Sequence, residues 1–134
     1  VAKLTNMRGR LQQIGDKPKI IADAAHNKAG VLNLLEEVKR MQFQKLHIIY
    51  GASNDKDWRE ILQILPKEAN YFFTHFDSLR SVKKVDFEQE ANQMGLIFKA
   101  FNNPEKSYQE CLKEANENDL VLICGSFYLM EKLI

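Results

Sequence analysis

Short, almost wholly apolar runs recur along this chain, each bounded by polar turn residues. Ile20-Ile21-Ala22, Leu46-His47-Ile48-Ile49-Tyr50, Tyr71-Phe72-Phe73 and Leu120-Val121-Leu122-Ile123-Cys124 are the clearest. A strand with one wet face alternates apolar and polar residues. A run apolar at nearly every position must be buried on both faces. Between the runs lie amphipathic stretches. Val31, Leu32, Leu34, Leu35 and Val38 mark one, Trp58, Ile61, Leu62 and Leu65 a second, and Phe87, Ala91 and Met94 a third. Tyr108, Cys111, Leu112 and Ala115 mark a fourth. Alternation of this kind predicts a three-layer α/β/α domain around a mostly parallel sheet.

The spacing predicts strands over Lys19 to Asp23, Leu46 to Tyr50, Asn70 to Thr74, Leu96 to Ala100 and Asp119 to Cys124. Leu11 to Ile14 alternates and predicts one antiparallel edge strand, followed by a turn cluster over Gly15-Asp16-Lys17-Pro18. Helices are expected from about Lys28 to Met41, after Asp57, up to a Gly95 stop, after Asn103-Pro104, and over Phe127 to Ile134. Asn27 is an N-cap candidate. Asp57 with Glu60 has capping-box spacing. Residues 1–9 carry no periodicity and read as a linker preceding a domain over 10–134.

A chain of 134 residues can bury a real core, and its net charge of +1 gives no bulk attraction to nucleic acid or membrane. No apolar run is long enough to span a bilayer, and the first residues carry no signal-peptide pattern. Cys111 and Cys124 lack metal-ligand spacing and read as reduced core thiols, which fits a cytoplasmic protein.

Right-handed crossovers carry every strand-to-helix loop to one edge of such a sheet, where ligands of open α/β sheets bind. That edge collects Asp23-Ala24-Ala25-His26-Asn27, Gly51 to Asp57, His75 to Ser81, Asn102-Asn103 and Gly125-Ser126. The first of these sets a carboxylate, an imidazole and a helix N-terminus together, a combination suited to a phosphate or carboxylate. The same residues also fit a plain scaffold, with Asn27 capping, Asp23 bonded to backbone and His26 exposed. Gly125-Ser126 fits either a carboxylate site or a helix cap. His47 reads as structural and His75 as surface. The 134 residues contain no G-x-x-x-x-G-K-[ST], no G-x-G-x-x-G and no zinc-type cluster.

Taken in order, Gly9-Arg10, Asp23-Ala24-Ala25-His26-Asn27, Gly51 with Asp55-Lys56-Asp57, Ser78-Leu79-Arg80, and Gly125-Ser126-Phe127-Tyr128-Leu129 resemble the C-terminal domain of folylpolyglutamate synthases and their dihydrofolate synthase relatives, in the Mur ligase superfamily. The resemblance runs from Arg8 to the end. It implies a Rossmann-like domain of an ATP-dependent ligase that adds L-glutamate to dihydropteroate or folate through an acyl phosphate. ATP and Mg2+ would serve the full-length enzyme, with neither expected on this piece alone. The partner would be an N-terminal ATP-binding domain that these residues lack, in a monomer.

By position, Arg10 and Asp23 resemble ATP contacts. His26 and Asn27 resemble residues beside the glutamate and the transferring phosphate, with His26 catalytic. Ser126 resembles the serine that holds a glutamate carboxylate. No metal ligand is implied here. The family usually carries glycine where Ala24 stands, so the backbone at Ala24 must avoid a glycine-only conformation. A cell-wall Mur ligase domain is a second reading. A non-catalytic flavodoxin-like module is a third, since fold alone does not fix function.

Overall fold

Apolar strands and amphipathic stretches assemble as the pattern demands. The computed structural model describes residues 11–54 and 57–133. A six-stranded sheet runs in the order β1-β2-β6-β3-β4-β5. Its strands are β1 (Gln12–Asp16), β2 (Lys19–Ala22), β3 (Leu46–Tyr50), β4 (Asn70–Thr74), β5 (Ile97–Phe101) and β6 (Leu120–Cys124). All neighbours are parallel except β1 with β2. The helices are α1 (Lys28–Lys39), α2 (Trp58–Ile64), α3 (Lys84–Met94), α4 (Pro104–Glu114) and α5 (Phe127–Leu133).

Strand periodicity splits the core in two. Ile48, Tyr50, Tyr71, Phe73, Leu120 and Leu122 face one way and pack with Val31, Leu34 and Val38 of α1, Trp58 of α2 and Phe87 of α3. Ile20, Ile49, Phe72, Val121 and Ile123 face the other way, onto Cys111 of α4 and Leu129 and Met130 of α5. Phe87 anchors the first layer, stacked on Phe73 at 4.9 Å and edge-on to Trp58 at 5.1 Å.

Helix ends follow local chemistry. The Asn27 side chain accepts from the Gly30 N–H, and that of Asn103 accepts from the Lys106 N–H, with Pro104 opening α4. Gly95 closes α3 at φ 71°, a left-handed conformation that glycine adopts without a Cβ clash. The expected Asp57 cap does not form. Asp57 sits at ψ 55°, away from the extended backbone that aims an N-cap side chain at the first turn, and makes no cap bond.

Several boundaries also shift. The edge strand β1 runs on through Gly15 and Asp16, with a register irregularity between Gln13 and Gly15. Only Lys17-Pro18, joined by a cis peptide bond, forms the hairpin turn. α1 stops at Lys39, and Arg40 and Met41 continue as a cap whose N–H groups donate to Glu37 and Val38 carbonyls. β5 starts one residue later than its apolar run suggests.

The edge opposite the strand-to-helix loops carries a buried polar pair. His47 Nε2 lies 2.9 Å from Asp119 Oδ2, and both side chains are 1% exposed. Asp119 also accepts from the Lys45 and Asn116 N–H groups. Asn70 Nδ2 lies 3.3 Å from His47 Nδ1. An amide nitrogen only donates, so His47 Nδ1 accepts and Nε2 carries the proton to Asp119. Burial alone pushes the Asp119 carboxyl up, but hydrogen bonds from His47 and the two backbone N–H groups outweigh it. They hold the carboxyl below its ordinary range.

A depressed carboxyl stabilises the fold above its unfolded pKa, about 4, and loses that contribution as pH falls through the folded value. Asp119→Asn is therefore expected to cost about 2 kcal/mol at neutral pH, since in either orientation an amide N–H₂ would face at least one donor. The deficit should shrink on acidification below about pH 4. Urea midpoints across pH 2–7 check this, and a deficit independent of pH would refute it.

Candidate functional site

β6, the last strand, lies between β2 and β3. β2 and β3 lead into α1 and α2 on one face of the sheet, whereas β6 leads into α5 on the other. Connections leaving in opposite directions open a crevice beyond the C-terminal end of β6. The Asp23–Asn27 turn follows β2, Gly125-Ser126 follows β6 and the loop after Gly51 follows β3, so the three lie beyond the ends of adjacent strands.

Asp23 is 4% exposed although it closes a strand. Its N–H extends the sheet by one bond, to the Ile123 carbonyl at 2.9 Å. Oδ1 accepts from the Ala25 N–H at 2.8 Å and Oδ2 from the Leu11 N–H at 3.1 Å. The carboxylate thus ties β2, the following turn and the start of the described chain together. Leu11 is the single non-glycine residue at positive φ among the described residues, so Ala24 indeed avoids a glycine-only conformation.

His26 is exposed. Its Nδ1 lies 3.1 Å from the Ala24 carbonyl, which can only accept. The proton therefore sits on Nδ1, and in the neutral ring Nε2 presents its lone pair. Asn27 commits its Oδ1 to the Gly30 N–H at 2.8 Å. Lys28 follows at the first position of α1 and pairs with Glu60 of α2 at 3.5 Å, both exposed.

Across the crevice, Ser126 is 5% exposed. Its Oγ accepts from the Tyr128 N–H at 3.1 Å and its carbonyl from the Met130 N–H at 3.3 Å. A hydroxyl that accepts there keeps its own proton to donate. Gly125 is required by space as well as by its φ of 109°. A Cβ built on it would lie 2.2 Å from the Gly51 carbonyl oxygen and 2.8 Å from Tyr50 Cε1.

Beneath the crevice, burial pushes the Cys124 thiol well up, with the Asp23 charge adding to it. Burial likewise lifts Cys111 to about 12. Both thiols stay protonated and unreactive at neutral pH. Among the described residues no group of three or more His, Cys, Asp and Glu side chains is placed to hold a metal.

The loops after β3 and β4 are stitched to each other. The Asn54 N–H donates to the Arg80 carbonyl and the Val82 N–H to the Ala52 carbonyl, around a Ser53–Ser81 bridge. The Ser81 Oγ, 1% exposed, accepts from the Phe76 N–H and donates to the Val82 carbonyl. Sequence reasoning gave Ser81 no role of its own, because its bridge to Ser53 joins two loops and leaves no local signal. The structure places Asp23, His26 and Asn27 just after β2 and Ser126 just after β6, at the C-terminal ends of two paired strands. Arg10, with Asp55 and Lys56 of the β3 loop, lies outside the described residues.

Helices on both faces of a mostly parallel sheet in this strand order define a three-layer α/β/α domain of the Rossmann-like class. The sequence model of the Mur ligase glutamate ligase domain family matches residues 9–127, and the chain belongs to that family. It is 28% identical over 130 residues to a dihydrofolate synthase/folylpolyglutamate synthase of Buchnera aphidicola subsp. Schizaphis graminum, covering 96% of this chain and 31% of that protein. It thus spans about a third of such relatives. The Escherichia coli FolC structure in complex with DHPP and ADP superposes with TM-score 0.84 at 24% identity, over 95% of this chain and 30% of that one. A bifunctional folylpolyglutamate synthase/dihydrofolate synthase structure with Mn, AMPPNP and L-glutamate bound gives TM-score 0.81 at 23% identity, over 92% and 30%. At these identities the two structures establish the shared fold.

Gly125→Ala is expected to destabilise the domain by about 3 kcal/mol or more, combining backbone strain with the collision at Gly51. Gly95→Ala, with positive φ but open space, is expected to cost only about 1 kcal/mol. Urea unfolding of the two variants side by side decides it, and equal losses would refute the role of close packing.

Proposed function

We propose that this chain is the C-terminal domain of an ATP-dependent ligase that joins L-glutamate to dihydropteroate or folate. The observation that carries the reading is the match to the glutamate ligase domain family, with His26 after β2 and Ser126 after β6 at the same edge of the sheet. The Buchnera relative, a dihydrofolate synthase/folylpolyglutamate synthase, and the L-glutamate bound to one fold neighbour support the choice of substrate.

In this reading a carboxylate of the folate or pteroate is activated as an acyl phosphate by ATP. The glutamate amine attacks the acyl carbon, and phosphate leaves as the amide forms. Ser126 donates its hydroxyl to a glutamate carboxylate, a charge-assisted bond. His26 Nε2 accepts a proton from the incoming ammonium, which restores a nucleophilic amine. Asn27 steadies that turn by capping α1 while its side-chain N–H₂ remains available to the amino acid. Asp23 shapes the turn and, with Arg10, borders the nucleotide. Holding amine and acyl phosphate in register accounts for much of the rate.

The described residues bring no three metal-type side chains together, so Mg2+ would be held with the nucleotide mainly by the rest of the protein. The remaining two-thirds of a relative-sized protein would supply the phosphate loop, the metal ligands and the pterin site. The 134-residue chain alone is then expected to fold without catalysing. Glutamate-dependent ATP hydrolysis by the purified chain would overturn that division of labour.

In a full-length protein carrying this domain, His26→Ala is expected to lower turnover about 10²–10⁴-fold, the usual weight of a positioned acid–base group. The melting temperature of the 134-residue chain should be unchanged, since His26 is exposed. ATP-dependent ligation of glutamate to dihydropteroate, and separately to reduced folate, is the assay. Undiminished turnover in the variant would remove His26 from the chemistry.

A further inference from the structure

Leu11 adopts φ 46°. For a residue with a Cβ this left-handed backbone is disfavoured roughly five- to thirty-fold, and leucine has no side-chain polar group to offset it. Strain of this kind persists only where the surroundings over-determine it. Two contacts do so here. The Leu11 N–H donates to Asp23 Oδ2 at 3.1 Å, and the Leu11 side chain packs, partly buried, against the core that holds Ile21 and Leu34.

We propose that Leu11 is a strained pivot latched by the Asp23 carboxylate, so that the left-handed backbone at the start of β1 and the root of the His26 turn are held by one side chain. Relaxing Leu11 to an ordinary negative φ rotates its N–H away from Asp23, and the bond and the left-handed conformation are lost together. The other oxygen of Asp23 holds the Ala25 N–H at the root of the His26 turn. A group that competes for Asp23 at the crevice therefore also acts on the pivot. The pivot rests on backbone geometry and stands whether or not the ligase reading holds.

Two independent measurements on the 134-residue chain test it. Leu11→Ala and Leu11→Gly both delete the side chain. At an ordinary φ the glycine variant is the less stable of the two, because its unfolded chain is freer. At a strained left-handed position the order reverses. The unfolding equilibrium constant of Leu11→Gly is expected to be about fivefold smaller than that of Leu11→Ala. Equal stability, or a less stable glycine variant, overturns the strain.

The second measurement is backbone NMR of Asp23→Asn, which can keep an acceptor for Ala25 while losing the carboxylate that holds Leu11. The Leu11 carbon shifts are expected to move from left-handed to extended values, and its amide exchange to accelerate at least tenfold. Unchanged Leu11 shifts in a folded variant overturn the latch, because a merely stabilising Asp23 would leave them in place. Should Asp23→Asn not fold, Asp23→Glu is read in the same way, its longer arm displacing the acceptor from Leu11.

Discussion

β6 must satisfy its backbone on both sides at once. Leu120 to Cys124 pair with β2 on one flank and β3 on the other, and all five residues are buried. No water reaches such a strand, so an unpaired N–H or C=O there would cost as much as a lost hydrogen bond. This requirement brings the last strand between the first parallel strand and the second. It also sends α5 to the opposite face from α1 and α2. The crevice at the C-terminal end follows from that divergence, while the bonds from Asp23 to Ile123 and from Gly51 to Cys124 carry the pairing one step past the strands.

Much of this was legible in the residues. Burial on both faces leaves a plain record in runs such as Leu120 to Cys124, and the Asn27 and Asn103 caps follow from local chemistry. The family resemblance and the sheet-edge argument both pointed to Asp23, His26, Asn27 and Ser126, which follow the paired strands β2 and β6. Strand order was not legible, because no local pattern says which buried strand lies beside which. Nor was the His47–Asp119 pair, whose members lie 72 residues apart in sequence. Leu11 looked like the start of an alternating strand. Its left-handed backbone is imposed by Asp23 and the core, against its own preference. Asp57 failed in the opposite way, since its residue type was right for a cap and its backbone was not.

The candidate site separates rigidity from chemistry. Asp23, Gly125 and Ser81 are buried and committed to backbone groups or close packing. His26 and Asn27 are exposed, and the Ser126 hydroxyl keeps a proton to give. Polar groups that react with ligands lose little hydration when they stand at the surface, and they are placed accurately only if the backbone beneath them is fixed. The scaffold reading of the Asp23–Asn27 turn therefore holds for Asp23 and for the capping Oδ1 of Asn27, and exposed His26 is the residue left for the proposed chemistry.

The stitching of the β3 and β4 loops has a consequence for how such a domain can diversify. Loops at the ligand edge of an α/β sheet usually vary independently. Here the Ser53–Ser81 bridge and the bonds around it make two loops into one unit. An insertion in either would shift the backbone acceptors of the other, so these loops can lengthen only in concert. The free variable at this edge is the Ala24–Asn27 turn, which is anchored at its root and open at its tip.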